Sequence, residues 1–192
     1  MRKIIYSVQF HTYWHIGSGL SGGTGTNALV LKDDDGLPYI PGRALKGLLR
    51  EGGEAMSSMS FIPDGFVGKV FGTKPEEESN ASYSNYDLAY GCFFGNAELS
   101  AHLKQSLSQT AKATYLYENI ASTAIGKNGQ AKDFTLRRME VSIPLILYGY
   151  IENFPDGAEN EEALKRCFQW VKRMGVNRNR GLGRCSLQLK TN

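Results

Sequence analysis

The chain has 192 residues, with 22 Lys and Arg against 19 Asp and Glu, a formal net charge of +3. That length fits one domain of ordinary size, which buries roughly two-thirds of the surface its unfolded form exposes and needs neither disulfide nor metal to fold. Hydrophobic residues at 41% and charged residues at 21% exclude wholesale disorder, and 22 glycines against 6 prolines, without a G-X-Y period, exclude collagen.

Residues 3–14 alternate as a long strand, with Ile5, Ser7 and Gln9 on one side and Tyr6, Val8 and Phe10 on the other. Residues 17–25 hold five glycines in nine positions and read as a loop, because glycine at that density forfeits too much entropy in a regular element. A short strand is expected over 28–31, and Asp33-Asp34-Asp35-Gly36 is a turn with hairpin chemistry. Pro41-Gly42 opens a helix running from Arg43 to about Glu51, with proline at the first helical position and Gly52-Gly53 as its end. Turns around an apolar cluster (Phe61, Phe66, Val67, Val70, Phe71) lead to an acidic surface loop over 73–87. A strand over 90–99 and a short helix over 100–109 follow. Residues 118–134 lack periodicity and suggest a long β-hairpin arm or loop. Met139, Val141, Ile143, Leu145 and Leu147 then repeat at period two, predicting one strand over 137–151. An amphipathic helix over 159–174, a second glycine-rich loop over 175–184 and a final strand over 185–189 complete the chain. This order predicts an α+β fold with a ferredoxin-like sheet and helices on one face. The RRM has the same architecture, which makes RNA a candidate ligand, although fold alone does not establish function.

No run of 18 apolar residues occurs, since the longest, 143–151, is broken by Pro144 and Gly149; no membrane span is predicted. The Met-Arg-Lys start is followed by alternation with Gln9 and His11, which reads as a strand and not as a signal peptide. Cys92, Cys167 and Cys185 form no C-x-x-C pair, and reduced cytoplasmic thiols account for them. Residues 163–192 carry eight Lys and Arg and no acid, which fits either a polyanionic partner or a solvated basic face.

Three features carry chemistry. Arg43, Lys46 and Arg50 recur at helical spacing beside the start of a helix whose N–H groups suit a phosphate, although an ordinary amphipathic helix has the same spacing. Arg178, Arg180 and Arg184 alternate with Gly181 and Gly183, where glycine lets a phosphate approach and arginine grips it, without any P-loop motif. The loop 17–25 leaves room for the same backbone. His11, His15 and His102 have no metal-ligand spacing; His15, at a strand end, is either a structural hydrogen-bonder or an RNA contact. Asp33 to Asp35 read as a solvated turn or a Mg²⁺ site, and no nucleophilic triad is evident. A K/R-G-F/Y signature of aromatic RNA binding is not found.

In order, His15-Ile16-Gly17-Ser18-Gly19, Asp35-Gly36-Leu37-Pro38-Tyr39-Ile40-Pro41-Gly42, Leu45-Lys46-Gly47 through Arg50, residues 123–133 and Arg180-Gly181-Leu182-Gly183-Arg184 resemble the RAMP superfamily of CRISPR-associated proteins. The similarity is greatest to the repeated backbone subunits of type III effector complexes. It implies one RRM-like domain over 1–192, with insertions at about 56–88 and 110–134 and a protruding hairpin thumb around 121–134. It also implies CRISPR RNA and complementary target RNA as partners, with copies of the chain or related subunits side by side and other effector subunits alongside. The RNA contacts it implies are His15, Gly17, Ser18, Gly19, Arg43, Lys46, Arg50, Lys132, Arg178, Arg180 and Arg184. Cleaving members carry an aspartate ahead of the I-P-G helix. Counting back fifteen residues from Pro41 gives Thr26, which cannot replace a carboxylate as base or metal ligand. No catalytic residue or cofactor is therefore assigned; the alternatives are a target-RNA endoribonuclease subunit, for which Mg²⁺ is implied, and an RRM-like RNA-binding protein outside CRISPR.

Overall fold

A computed structural model of the chain describes residues 1–23, 26–73, 91–110 and 112–190. Most of the expected acidic loop over 73–87, Tyr90, and Thr24 and Gly25 of the first glycine-rich loop lie outside the described residues. The elements are β1 (Arg2–Phe10), α1 (Gly42–Ser58), α2 (Phe66–Phe71), β2 (Phe93–Phe94), α3 (Ala101–Thr110), β3 (Tyr117–Ser122), β4 (Arg137–Ser142), β5 (Ile146–Phe154), α4 (Ala158–Trp170) and β6 (Cys185–Lys190).

Four strands form an antiparallel sheet in the order β2-β5-β1-β6, so the N-terminal strand occupies a central place. The predicted alternation in β1 holds. Tyr6, Val8 and Phe10 are buried in one core with Leu45 and Leu49 of α1 and Leu164, Cys167 and Phe168 of α4. The Tyr6 and Phe168 rings meet edge to face, 5.7 Å apart. Each such side chain, once buried, contributes roughly 1.5–3 kcal/mol. Ile5 and Gln9 are exposed on the opposite side, whereas Ser7 between them is buried at 4% exposure. β3 and β4 pair in register, Tyr117 with Ser142 through Ser122 with Arg137, as a separate two-stranded sheet. An isolated bridge between Ile125 and Ala131 continues this hairpin outward, which answers the open choice between arm and loop over 118–134.

Several boundaries differ from expectation. Helix α1 does not stop at Gly52-Gly53 but continues to Ser58. Those glycines mark a helix crossing. A Cβ on Gly52 would lie 2.7 Å from the Trp170 ring, and one on Gly53 would lie 3.1 Å from the Phe71 ring. Close packing there offsets the roughly 1 kcal/mol that glycine costs inside a helix. Pro41 is the N-cap of α1, not its first helical residue. The run 137–151 is two strands in two sheets. Pro144 has no N–H for a ladder, so the chain steps there from the hairpin into the main sheet. The strand expected over 90–99 is reduced to β2 and two isolated bridges, Ala97 to Ile40 and Glu98 to Tyr148, and residues 28–31 likewise form only isolated bridges. Helix α4 ends at Trp170; Met174 is buried, but beyond the helix.

Among the described residues, no helix is long and apolar enough to cross a membrane. All three cysteines are buried and unbridged. Burial pushes the Cys92 thiol up to about 11 and those of Cys167 and Cys185 up to about 12. At pH 8 the folded chain should therefore react far more slowly with an aromatic disulfide reagent than the guanidinium-unfolded chain, which should react fully. Rapid labelling of the native chain would contradict this packing.

Candidate nucleic-acid interface

The start of α1 is pressed against residues 94–96. Gly42 is buried, and a Cβ there would fall inside the carbonyl groups of Phe94 and Gly95, so only glycine fits. The Gly42 N–H, which has no partner within the helix, donates to Asn96 Oδ1 at 3.1 Å. This contact forms one wall of a cavity of about 600 Å³, lined among others by Tyr39, Arg43, Lys46, Phe93, Asn96 and Asn153. Arg43 is exposed at its rim. Lys46 lies deeper, with Nζ donating to the Cys92 carbonyl at 2.9 Å and 5.9 Å from the Phe94 ring centre. Burial holds the Lys46 ammonium below its usual value, and the charge of Arg50 pushes the same way. An anion entering the cavity would reverse that trend. Arg50 is not among the lining residues; its Nε donates to Glu54 Oε1 at 3.2 Å, one turn further on.

The glycine-rich loop adjoins this cavity through Leu31, a lining residue whose N–H donates to the Ile16 carbonyl at 2.8 Å. The loop is a narrow ribbon. Ser18 gives both its N–H and its hydroxyl to the Leu29 carbonyl, and Gly22 N–H donates to the Thr26 carbonyl. Gly17 and Gly19 are exposed, and Ser18 is half-buried. His15 sits beneath them at 2% exposure. Its Nδ1 lies 2.6 Å from the Glu140 carbonyl, which can only accept, so the proton is on Nδ1. His15 thus holds the root of the loop and does not offer its ring to the surface.

The second glycine-rich loop is laid on the same strand end. Gly183 N–H donates to Tyr13, Val176 N–H to His15 and Arg184 N–H to Thr12 Oγ1. Gly175 and Gly183 have φ of +92° and +67°, and a Cβ on either would strike the backbone of His15 or Met174. A short 3₁₀ turn, Arg178–Arg180, projects from this base, and Arg178, Arg180 and Arg184 are all exposed. The fold therefore brings both loops to one end of β1.

The hairpin is rooted at the same place by Glu140. Its carboxylate accepts the Val30 N–H at 2.9 Å and the Lys32 ammonium at 2.8 Å, and its own N–H donates to the Ala28 carbonyl. Lys132 lies on the exposed outer part of the hairpin, where its N–H donates to the Ala124 carbonyl. Thr26 Oγ1 donates to Asn119 Oδ1 on β3 at 3.3 Å. The acidic turn is also committed. Asp33 Oδ1 accepts the N–H groups of Asp35 and Leu37, while Oδ2 is 3.3 Å from the Lys104 ammonium. Among the described residues, no three His, Cys, Asp or Glu side chains gather as a metal site would need.

The sequence alone does not single out Asn96, Phe93, Asn153 or Glu140. They reach the site only through long-range pairing, and no spacing marks them. Compared with known proteins, residues 7–186 match the RAMP superfamily. No curated protein sequence matches. Among solved structures, the chain is similar to one in a cryo-EM structure of the type III-B Cmr-beta complex bound to cognate target RNA. The TM-score is 0.68 at 12% identity, covering 98% of this chain and 97% of that one. It is similar also to a chain of the apo state of Cmr-beta, with TM-score 0.67 at 12% identity, covering 99% and 98%. At such identity these likenesses concern the fold, whereas the family match spans nearly the whole sequence: the chain belongs to the RAMP superfamily.

Proposed function

We propose that the chain is a CRISPR RNA-binding backbone subunit of a type III RNA-guided effector complex in the cytoplasm. On this reading it lies beside copies of itself or related RAMP subunits, with other effector subunits alongside. Its β2-β5-β1-β6 sheet and the helices α1 and α4 form a ferredoxin-like core, and the hairpin over 117–142 is its thumb. The observation that carries the reading is the meeting of two phosphate-compatible loops beyond the end of β1, the ribbon from Gly17 and the loop bearing Arg178, Arg180 and Arg184, which backbone hydrogen bonds lay on the same residues 13–16. The cavity with Arg43 and Lys46 adjoins the first of them through Leu31, whose N–H donates to the Ile16 carbonyl. Phosphate contacts position a strand without reading it, and base pairing between guide and target then supplies the sequence. The alternative of a target-RNA endoribonuclease has less support, because Thr26 stands where cleaving members carry an aspartate and its hydroxyl is bonded to Asn119.

The test is RNA affinity measured over a series of salt concentrations. Arg43→Ala and Lys46→Ala should each weaken binding of a guide-length single-stranded RNA and reduce the salt slope by about 0.7, the value for one phosphate contact on a single strand. Unchanged affinity and slope in both variants would defeat the reading of the cavity.

A further inference from the structure

The outer end of the hairpin holds the one Asn-Gly pair of the chain, Asn128-Gly129. Beyond the paired residues Ser122 and Arg137 the arm narrows to the bridge between Ile125 and Ala131 and turns through residues 127–129, all exposed. Two backbone bonds close the turn: Gly126 N–H donates to the Gln130 carbonyl at 2.7 Å and Gly129 N–H to the Gly126 carbonyl at 3.0 Å. Gly129 has φ of +78°, with nothing within 4 Å of where a Cβ would stand. An asparagine before glycine is exposed to attack by the next backbone nitrogen, because glycine has no side chain to crowd the five-membered ring that forms. The turn adds to this access. Asn128 Oδ1 accepts the Gln130 N–H at 3.3 Å, and Nδ2 donates to Gln130 Oε1 at 2.9 Å. A donor on Oδ1 draws electrons from Cγ and stabilises the oxyanion that forms under attack. The opposing contact is the bond from Gly129 N–H to Gly126, which must open first. It lies at the exposed end of a two-stranded arm, where such bonds open most readily.

We propose that Asn128 is a self-modification site: it deamidates in the folded chain, and the acid so formed loosens the arm's hold on RNA. The second half rests on the reading of the chain as an RNA binder; the chemistry does not. The Gly129 amide nitrogen bonds to Asn128 Cγ and the Cγ–Nδ2 bond breaks. Nδ2 departs as ammonia, carrying the proton that the Gly129 nitrogen loses. Water then opens the cyclic imide at either of its carbonyls and leaves an aspartyl or an isoaspartyl residue. Water is the sole co-reactant, and nothing is oxidised or reduced. Either product adds a negative charge to the exposed stretch 127–133, where two lysines, Lys127 and Lys132, stand against one aspartate, Asp133. The excess of positive charge there is cancelled, and a polyanion is held less well. The isoaspartyl product also inserts a methylene into the main chain, so the two bonds that close the turn no longer fit together.

The full chain, held folded in mildly alkaline buffer and sampled over days, tests the chemistry by peptide mapping. The peptide containing Asn128 should take on the mass of an amide-to-acid exchange before any other asparagine does, and part of it should accept a methyl group from an isoaspartyl methyltransferase. Asn128→Ser, which keeps a turn-forming side chain without the amide, should show no such change at this position. Fresh Asn128→Asp tests the consequence. It should bind a guide-length single-stranded RNA about threefold more weakly at moderate salt, with the salt slope reduced by about 0.7 as one lysine contact is neutralised. Asn128→Ser should bind as the native chain does. The proposal falls if Asn128 stays intact while other asparagines convert. It falls equally if Asn128→Asp keeps native affinity and slope while Arg43→Ala loses both. A native chain that binds no RNA would instead remove the functional reading together with the consequence drawn for RNA, and the peptide map would still decide the modification.

Discussion

Gly42→Ala should lower the stability of the chain by about 2–4 kcal/mol, a drop of roughly 6–12 °C in Tm for a domain of this size. The new methyl group would overlap the carbonyls of Phe94 and Gly95, which are backbone and cannot rotate away. The start of α1 must then move off residues 94–96, breaking the bond from Gly42 N–H to Asn96. The cost is not a general effect of alanine in this helix. Gly47, one turn later, has nothing within 4 Å of where a methyl would stand, and Gly47→Ala should stabilise by up to about 1 kcal/mol through helix propensity. Urea unfolding of the pair checks both signs. If Gly42→Ala melts with the native chain, the helix start is not pressed against residues 94–96. The same variant should lose RNA affinity, because Arg43 and Lys46 move with that helix start.

The triple variant Arg178→Ala, Arg180→Ala, Arg184→Ala should weaken RNA binding about ten- to a hundredfold at moderate salt and reduce the salt slope by about 2, at about 0.7 for each phosphate that is no longer neutralised. The three side chains are exposed, and the loop is held by backbone hydrogen bonds and by the glycines at 175 and 183. Its thermal stability should therefore remain near that of the native chain. A triple variant that binds RNA with native affinity and slope would show that this loop faces away from the nucleic acid. One that simply unfolds would show that the arginines serve the fold.

The start of α1 is legible in the sequence because proline and glycine leave little choice where a helix begins. Its end is not, since Gly52-Gly53 has the local look of a stop and only the crossing with Trp170 and Phe71 makes it a continuation. The period-two run over 137–151 announces β structure correctly, but periodicity cannot say which sheet a strand joins, and the step at Pro144 depends on where Trp14 and Phe10 lie. At the site, the spacing of Arg43 and Lys46 marks two residues that share the cavity. The same spacing groups Arg50 with them, although a glutamate one turn away engages it. The position of His15 at a strand end is readable, but its burial is not, because Gly17 and Gly175, which close over it, are far apart in sequence.

The central place of β1 has a consequence for synthesis. Val8 stands opposite Leu147 on one side and Leu187 on the other, so β1 finds its partners only once β5 and β6, far later in the chain, have been translated. Until then Tyr6, Val8 and Phe10 have no sheet to join, and α1 has no complete core to cover. A nascent chain of this kind folds late and slowly, with an apolar strand exposed to other ribosomes' products in the interval. Truncation within β6 would remove one flank of β1, so residues 185–190 decide whether the apolar side of β1 is ever buried.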